Sequence, residues 1–127
     1  MDLVGVSNQL PKAGETLSGT SFTMTPGGKG ANQAVGLSRL GANVQMIGKI
    51  GNDIFGKELI LNLKRNRINV KNIQTSSDVE SGVALILLDS NKENYILVIP
   101  GANATCGKEQ IEAVSKTLIN SKCLLIQ

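Results

Sequence analysis

The sequence predicts an α/β fold, and three observations carry that prediction. Strand-like and helix-like stretches alternate along the 127 residues, the pattern of βα units built around a parallel sheet. Val44–Gly48 and Cys123–Ile126 are short apolar runs, as expected of strands covered on both faces. A glycine-rich turn, Pro26-Gly27-Gly28-Lys29-Gly30, leads straight into a helical run. A helix that starts there points its free N–H groups and positive dipole end at the turn.

Taken in order, Leu3–Val6 reads as a short strand. Leu10-Pro11-Lys12-Ala13-Gly14-Glu15-Thr16 is a turn with Pro and Gly as breakers. Thr16–Thr25, rich in Ser and Thr, reads as a second, solvent-facing strand. Ala31–Leu40 is a helix, and Gly41 is placed to end it in a left-handed conformation. Val44–Lys49 is a strand. Asp53 is placed as the N-cap of a helix over Ile54–Asn66, with Phe55, Leu59, Ile60 and Leu63 on an apolar stripe. Lys64, Arg65 and Arg67 cluster at its end, where cations complement the helix dipole. Asn69–Ile73 is a short extended piece. Gly82–Leu88 and Tyr95–Ile99 are apolar runs joined by the polar Asp89–Asn94, a hairpin pattern. Pro100–Ala104 breaks it. Thr105 is placed to cap a helix over Gly107–Asn120, with Ile111, Val114 and Leu118 on one face. Cys123–Ile126 closes the chain as a short buried strand, with Cys123 in the core. The strands near 3–6, 16–25, 83–88 and 95–99 read as a separate antiparallel layer.

Composition narrows the function. Hydrophobic residues make up 41% and charged residues 18% of the chain, a globular balance. No apolar run reaches the roughly 20 residues of a membrane helix, and no basic region followed by an apolar block marks a leader. A cytoplasmic protein with free thiols at Cys106 and Cys123 is therefore expected. The net charge of +3 is mild and aromatic residues are 2%, which leaves little for bases to stack on and argues against nucleic acid. There is no histidine. That removes Ser-His-Asp and Cys-His catalysis and His-based zinc sites.

The glycine turn fails both phosphate codes. Gly28-Lys29 is followed by Gly30 rather than Ser or Thr, and position 23 is Thr rather than Gly, so it is no nucleoside-triphosphate P-loop. Gly28 and Gly30 fit the start of G-x-G-x-x-G, but Gln33 stands where the third Gly belongs. What remains is a polar set: Lys29, Asn32 at the helix start, and Asp2 on an early strand that can reach the same place. Carboxylates and amides bind vicinal hydroxyls well, because each hydroxyl both donates and accepts. The set suits a sugar. An ordinary loop-to-helix turn, with Lys29 solvated and Asn32 capping the helix, is the other reading.

Pro26-Gly27-Gly28-Lys29-Gly30-Ala31-Asn32-Gln33-Ala34 resembles the N-terminal signature of the PfkB-type carbohydrate kinases in their ribokinase version. Leu10–Thr16, Gly48-Lys49-Ile50-Gly51-Asn52-Asp53-Ile54-Phe55-Gly56, Ser81–Ile86 and Pro100-Gly101-Ala102-Asn103-Ala104 match further stretches in the same order. The resemblance implies the N-terminal portion of a three-layer α/β fold with a small antiparallel β-sheet lid. Lid strands would lie within 3–25 and 82–99, and the core within 26–81 and 100–127. Carried over by motif, Asp2, Gly27, Gly28, Lys29 and Asn32 would bind the sugar, and Val98 would form an apolar wall.

It further implies ATP-dependent phosphorylation of ribose at its 5-hydroxyl, with Mg²⁺ and a monovalent cation such as K⁺, by a homodimer joined through the lid. A non-catalytic sugar-binding fragment, or a relative acting on fructose or a nucleoside, is the alternative. The departures are plain. Only Asp2 remains of the Gly-x-x-Asn-x-Asp strand that opens the family. A sugar-contacting Glu is expected just past Gln127. The catalytic Asp, the anion hole, and the ATP and cation sites belong to a second half. These 127 residues alone are expected to be inactive and to fold poorly.

Overall fold

The computed structural model describes residues 1–127 as two sheets and three helices. The elements run β1 (Asp2–Val6), β2 (Ser21–Thr25), α1 (Lys29–Arg39), β3 (Gln45–Gly51), α2 (Ile54–Arg65), β4 (Asn69–Ser76), β5 (Val83–Leu88), β6 (Asn94–Ile99) and α3 (Lys108–Leu118), with a 3-10 turn at Gly101–Thr105. β3 and β4 pair in parallel, connected by α2 as a βαβ unit. Ala34, Leu63 and Ile68 form the buried cluster there, with Val35, Val44, Met46, Val70 and Ile73 packed around it. The apolar stripe of α2 thus meets one face of this sheet. Asp53 caps α2, its side chain accepting from the Gly56 N–H at 2.6 Å. Gly41, at φ +91°, follows the end of α1, and its N–H bonds to Ser38 O.

The second sheet has the order β2-β1-β5-β6. Its outer pairings, β1–β2 and β5–β6, are antiparallel as expected. The central pairing, β1–β5, is parallel, so the layer is mixed rather than wholly antiparallel. The whole α1–β4 unit separates β1 from β5 in the chain, and a crossover of that length allows parallel pairing where a hairpin does not.

Three local expectations are corrected. The extended piece near Asn69–Ile73 is a full strand through Ser76, because pairing with β3 overrides the weak strand propensity of its asparagines. α3 is capped at Gly107, where the Gln110 side chain accepts the Gly107 N–H at 2.7 Å; the Thr105 hydroxyl instead bonds to Ala102 O within the 3-10 turn. Residues 123–126 form no strand and Cys123 is exposed. Apolar composition alone does not make a strand, and this segment has no backbone ladder to join. Its last residue does reach α1: Gln33 Nε2 donates to Gln127 Oε1 at 3.2 Å.

The other face of the β3–β4 sheet is polar. Asn72 Nδ2 donates to Thr117 Oγ1 at 3.2 Å, and Gln110 donates to Gln74, so α3 docks largely by side-chain hydrogen bonds. No helix is long and apolar enough to cross a membrane.

Candidate functional site

The glycine turn lies between the two sheets, where β2 hands over to α1. Gly28 is the N-cap of α1 at φ +94° and offers no side-chain cap. The first bond of the helix runs from Asn32 N to Gly28 O at 2.9 Å. The N–H groups of Lys29, Gly30 and Ala31 therefore have no acceptor in the chain. The helix begins two residues earlier than the sequence pattern indicates. Lys29 is thus the first helical residue, and Asn32 lies in the first turn rather than at the cap. The capping reading of Asn32 is excluded by this geometry. Its side chain is exposed and makes no hydrogen bond within the chain.

Asp2 opens β1 and is half-buried. A Cβ built on the buried Gly27 would collide with the Asp2 carboxylate. The carboxylate therefore occupies the space that any other residue at 27 would fill. It has no hydrogen-bond partner within the chain. Asp2 pairs across the sheet with Thr25 on one side and Ala84 on the other, and Ala84 pairs with Val98. Paired residues project from the same face of a sheet. Asp2, Thr25, Ala84 and Val98 thus form one row on the face that looks at the glycine turn. Val98 is exposed there.

The structure thus brings Asp2 against Gly27, sets Gly28, Lys29 and Asn32 at the adjoining helix start, and puts Val98 on the row of Asp2. Thr25 and Ala84 belong to this row and were not singled out from the sequence. Only the strand register shows them. The arrangement offers a carboxylate acceptor against Gly27 and, along the adjoining helix start, an ammonium, an amide and free backbone N–H donors. The chemistry of that mixture suits hydroxyl groups better than a single charge.

A second polar cluster sits at the base of the four-stranded sheet. Asp53 accepts from the Ser81 N–H at 2.6 Å and the Ser81 hydroxyl at 2.9 Å, in addition to Gly56. The Ser81 Oγ accepts from the Gly51 N–H at 3.0 Å. Burial by itself would raise the Asp53 pKa, but the backbone N–H groups of Ser81, Gly56 and Phe55, with the Ser81 hydroxyl, outweigh it and hold it below the ordinary 3.8. A carboxylate with a lowered folded-state pKa stabilises the fold above its unfolded value and loses that effect as pH falls through the folded one. The stability gap between the unchanged chain and Asp53→Asn is expected to be full at pH 7 and to narrow below about pH 4. Urea unfolding across pH checks this, and a gap that does not change with pH would remove the carboxylate charge as its source.

A cleft of about 730 Å³ lies elsewhere, between β4 and α3. Lys71 of β4 and Lys116, Glu109 and Glu112 of α3 line it, so its charges balance and it shares no residue with the glycine turn. No three His, Cys, Asp or Glu side chains converge where a metal ion could sit.

Fold and candidate site together define the class: an α/β unit in which a small second sheet faces a glycine turn at a helix start. Comparison with known proteins makes the class specific. The chain belongs to the pfkB family of carbohydrate kinases, whose family model matches residues 1–127. It is 46% identical to a ribokinase of Bacillus subtilis over 129 residues, covering 96% of this chain and 44% of that protein. It is 42% identical to a deoxyribokinase of Salmonella typhi over 126 residues, covering 99% of this chain and 40% of that protein. Among solved structures it is similar to the Arabidopsis thaliana ribokinase complexed with ribose and ATP, at 31% identity and a TM-score of 0.72, covering 80% of this chain and 33% of that one. The chain spans less than half the length of the curated relatives it matches.

Proposed function

We propose that these residues form the sugar-holding part of an ATP-dependent carbohydrate kinase that converts D-ribose to ribose 5-phosphate. The observation that carries this reading is the free Asp2 carboxylate set against Gly27, beside the open start of α1. Asp2 accepts from vicinal sugar hydroxyls. The Asn32 amide donates to one hydroxyl and accepts from another, and Lys29 adds a cation at the rim. The backbone of Gly27 and Gly28 lets the ring approach closely, and Val98 covers its apolar face. In this reading the four-stranded sheet, within residues 3–25 and 82–99, is the lid over the sugar, and residues 26–81 and 100–127 form the core beneath it.

ATP would supply the phosphoryl group, with Mg²⁺ and a monovalent cation such as K⁺ balancing its charge. The residues present do not fit these groups. The turn departs from both phosphate-binding codes, and no carboxylate cluster is formed. The part of this chain is therefore to bind and orient the sugar. A reaction that draws on cellular ATP fits a cytoplasmic protein.

Titration of the intact protein with D-ribose tests the site. Asn32→Ala is expected to weaken binding about tenfold or more, as loss of a paired amide in a sugar site does. Unchanged affinity would remove Asn32 from the site. Running 2-deoxyribose, fructose and a nucleoside alongside decides among the substrates that members of this family act on.

The outer face of the lid supports a homodimer. The residues alternating with the Asp2 row include Phe22, Met24, Leu85, Tyr95, Leu97 and Ile99, each at least 41% exposed. An apolar face of this extent is covered by a partner in stable proteins, and a second copy of the same sheet matches it. Sedimentation is expected to show a dimer that Leu97→Lys dissociates. A monomer at all concentrations would rule out this contact.

A further inference from the structure

Asp53 does more than cap α2. A helix N-cap needs one side-chain oxygen on an amide of the first turn. The Asp53 Oδ1 atom provides that to Gly56. Its Oδ2 accepts from the N–H of Ser81, 28 residues away at the root of β5. Ser81 is 2% exposed and returns a bond by accepting from Gly51 N–H. From this point a short path leads to the sugar site. The carbonyl of Gly82 accepts from the Met1 nitrogen at 2.8 Å, and the carbonyl of Met1 accepts from Ala84 N–H at 2.9 Å. Asp2 is the next residue and pairs with Ala84.

The strand that leaves the lid passes through the same knot. Ala102 N–H donates to Glu80 O at 2.8 Å. A Cβ on Gly82 would collide with Pro100 O and Asn103, and one on Gly101 with Glu80 O. Both ends of the β5–β6 hairpin are thus tied beside one carboxylate, which itself belongs to the core.

We propose that Asp53 is a positioning residue for the sugar site: through Ser81 it pins the four-stranded sheet to the core and sets the height of Asp2 over Gly27. The sugar part of this statement rests on the function proposed above; the pin itself rests on the hydrogen bonds alone. Asp53→Asn keeps the volume and one acceptor oxygen. It puts an amide donor against the donors of either Ser81 or Gly56, so one arm of the pin is lost. A packed core residue would loosen the whole chain, whereas a pin loosens only what it holds.

The test is amide hydrogen exchange on the intact protein, together with ribose titration and the resonance of the Gly27 amide, which senses the Asp2 carboxylate without any sugar. In Asp53→Asn, exchange in β1 and β5 is expected to speed up about tenfold or more, as for one lost charge-assisted bond. Exchange in β3 and β4 should be unchanged. The Gly27 resonance should move, and ribose affinity should fall by a similar factor. Ser81→Ala should behave alike, and the double variant should be no worse than the poorer single one, because both cut the same tie.

Faster exchange confined to the first turn of α2 would reduce Asp53 to a cap and overturn the proposal. Equal acceleration in β3 and β4 would also overturn it, as would a loosened sheet with an unmoved Gly27 resonance. If the unsubstituted chain bound no ribose, the sugar reading would fail, while exchange and the Gly27 resonance would still decide on the pin.

Discussion

Gly27→Ala is expected to weaken ribose binding about ten- to hundredfold, the effect of losing a hydrogen-bonded carboxylate from a site. Backbone freedom is not the reason, since Gly27 is absent from the residues with positive φ. The reason is space. The added Cβ would overlap the Asp2 carboxylate, and Gly27 is buried, so the turn has no outward route. Either the Asp2 side chain swings out of the site or the start of β1 shifts away from Thr25 and Ala84. Both outcomes remove the acceptor. Overpacking of this kind also costs about 1–3 kcal/mol of stability. Removing the obstacle checks the cause: once Asp2→Ala is in place, adding Gly27→Ala should cost little further stability. Calorimetric titration and thermal melts of the three variants measure both effects. Wild-type ribose affinity in Gly27→Ala would exclude Asp2 from sugar binding.

Gly51→Ala is expected to be strongly destabilising, by about 3 kcal/mol or more from overpacking and lost hydrogen bonds together. Gly51 ends β3 and is buried. A Cβ there would overlap the backbone at Glu80 and Ser81 and the Asp53 carboxylate. None of these is the loose end of a flexible side chain. Relief requires residues 80–81 to move away from β3, which breaks the Gly51–Ser81 and Asp53–Ser81 bonds together. Gly36, in the interior of α1, is the contrast. It has open space around its Cβ position, so Gly36→Ala should stabilise by about 0.5–1 kcal/mol through helix propensity. Urea midpoints of the two variants should move in opposite directions. A shift of the same sign in both would show that the contact at Gly51 does not control stability.

Much of the fold is readable in the sequence, because local chemistry specifies it. Asp53 three residues before Gly56 marks a helix cap, Gly41 marks a helix end, and the apolar stripe of α2 marks a buried face. These signals act over a few residues and survive any tertiary context. Other features misled because they depend on partners distant in the chain. The asparagines of β4 read as a weak strand, yet β3 holds all eight residues extended. Cys123–Ile126 read as a strand from its composition, yet it has no ladder.

The candidate site divides the same way. The residue types around the glycine turn are legible: a lysine, an asparagine and glycines at a helix start, with an early aspartate, speak for hydroxyl recognition. What no pattern along the chain reveals is the shared row of Asp2, Ala84 and Val98, whose members are brought level by strand register across two pairings. The second role of Asp53 is hidden for a similar reason, since its partner is Ser81 and the intervening residues form a helix and a strand.

The sequence by itself determined the α/β class, the glycine turn with its polar residues, and membership of the carbohydrate kinase family. Each of these is carried by side chains close together in the chain. The tertiary structure alone decided that the central pairing of the second sheet is parallel, that the Asp2 carboxylate fills the space over Gly27, and that Asp53 ties that sheet to the core. Those are contacts between segments tens of residues apart, and their geometry exists only once the crossover, the register and the close glycine approaches are all in place.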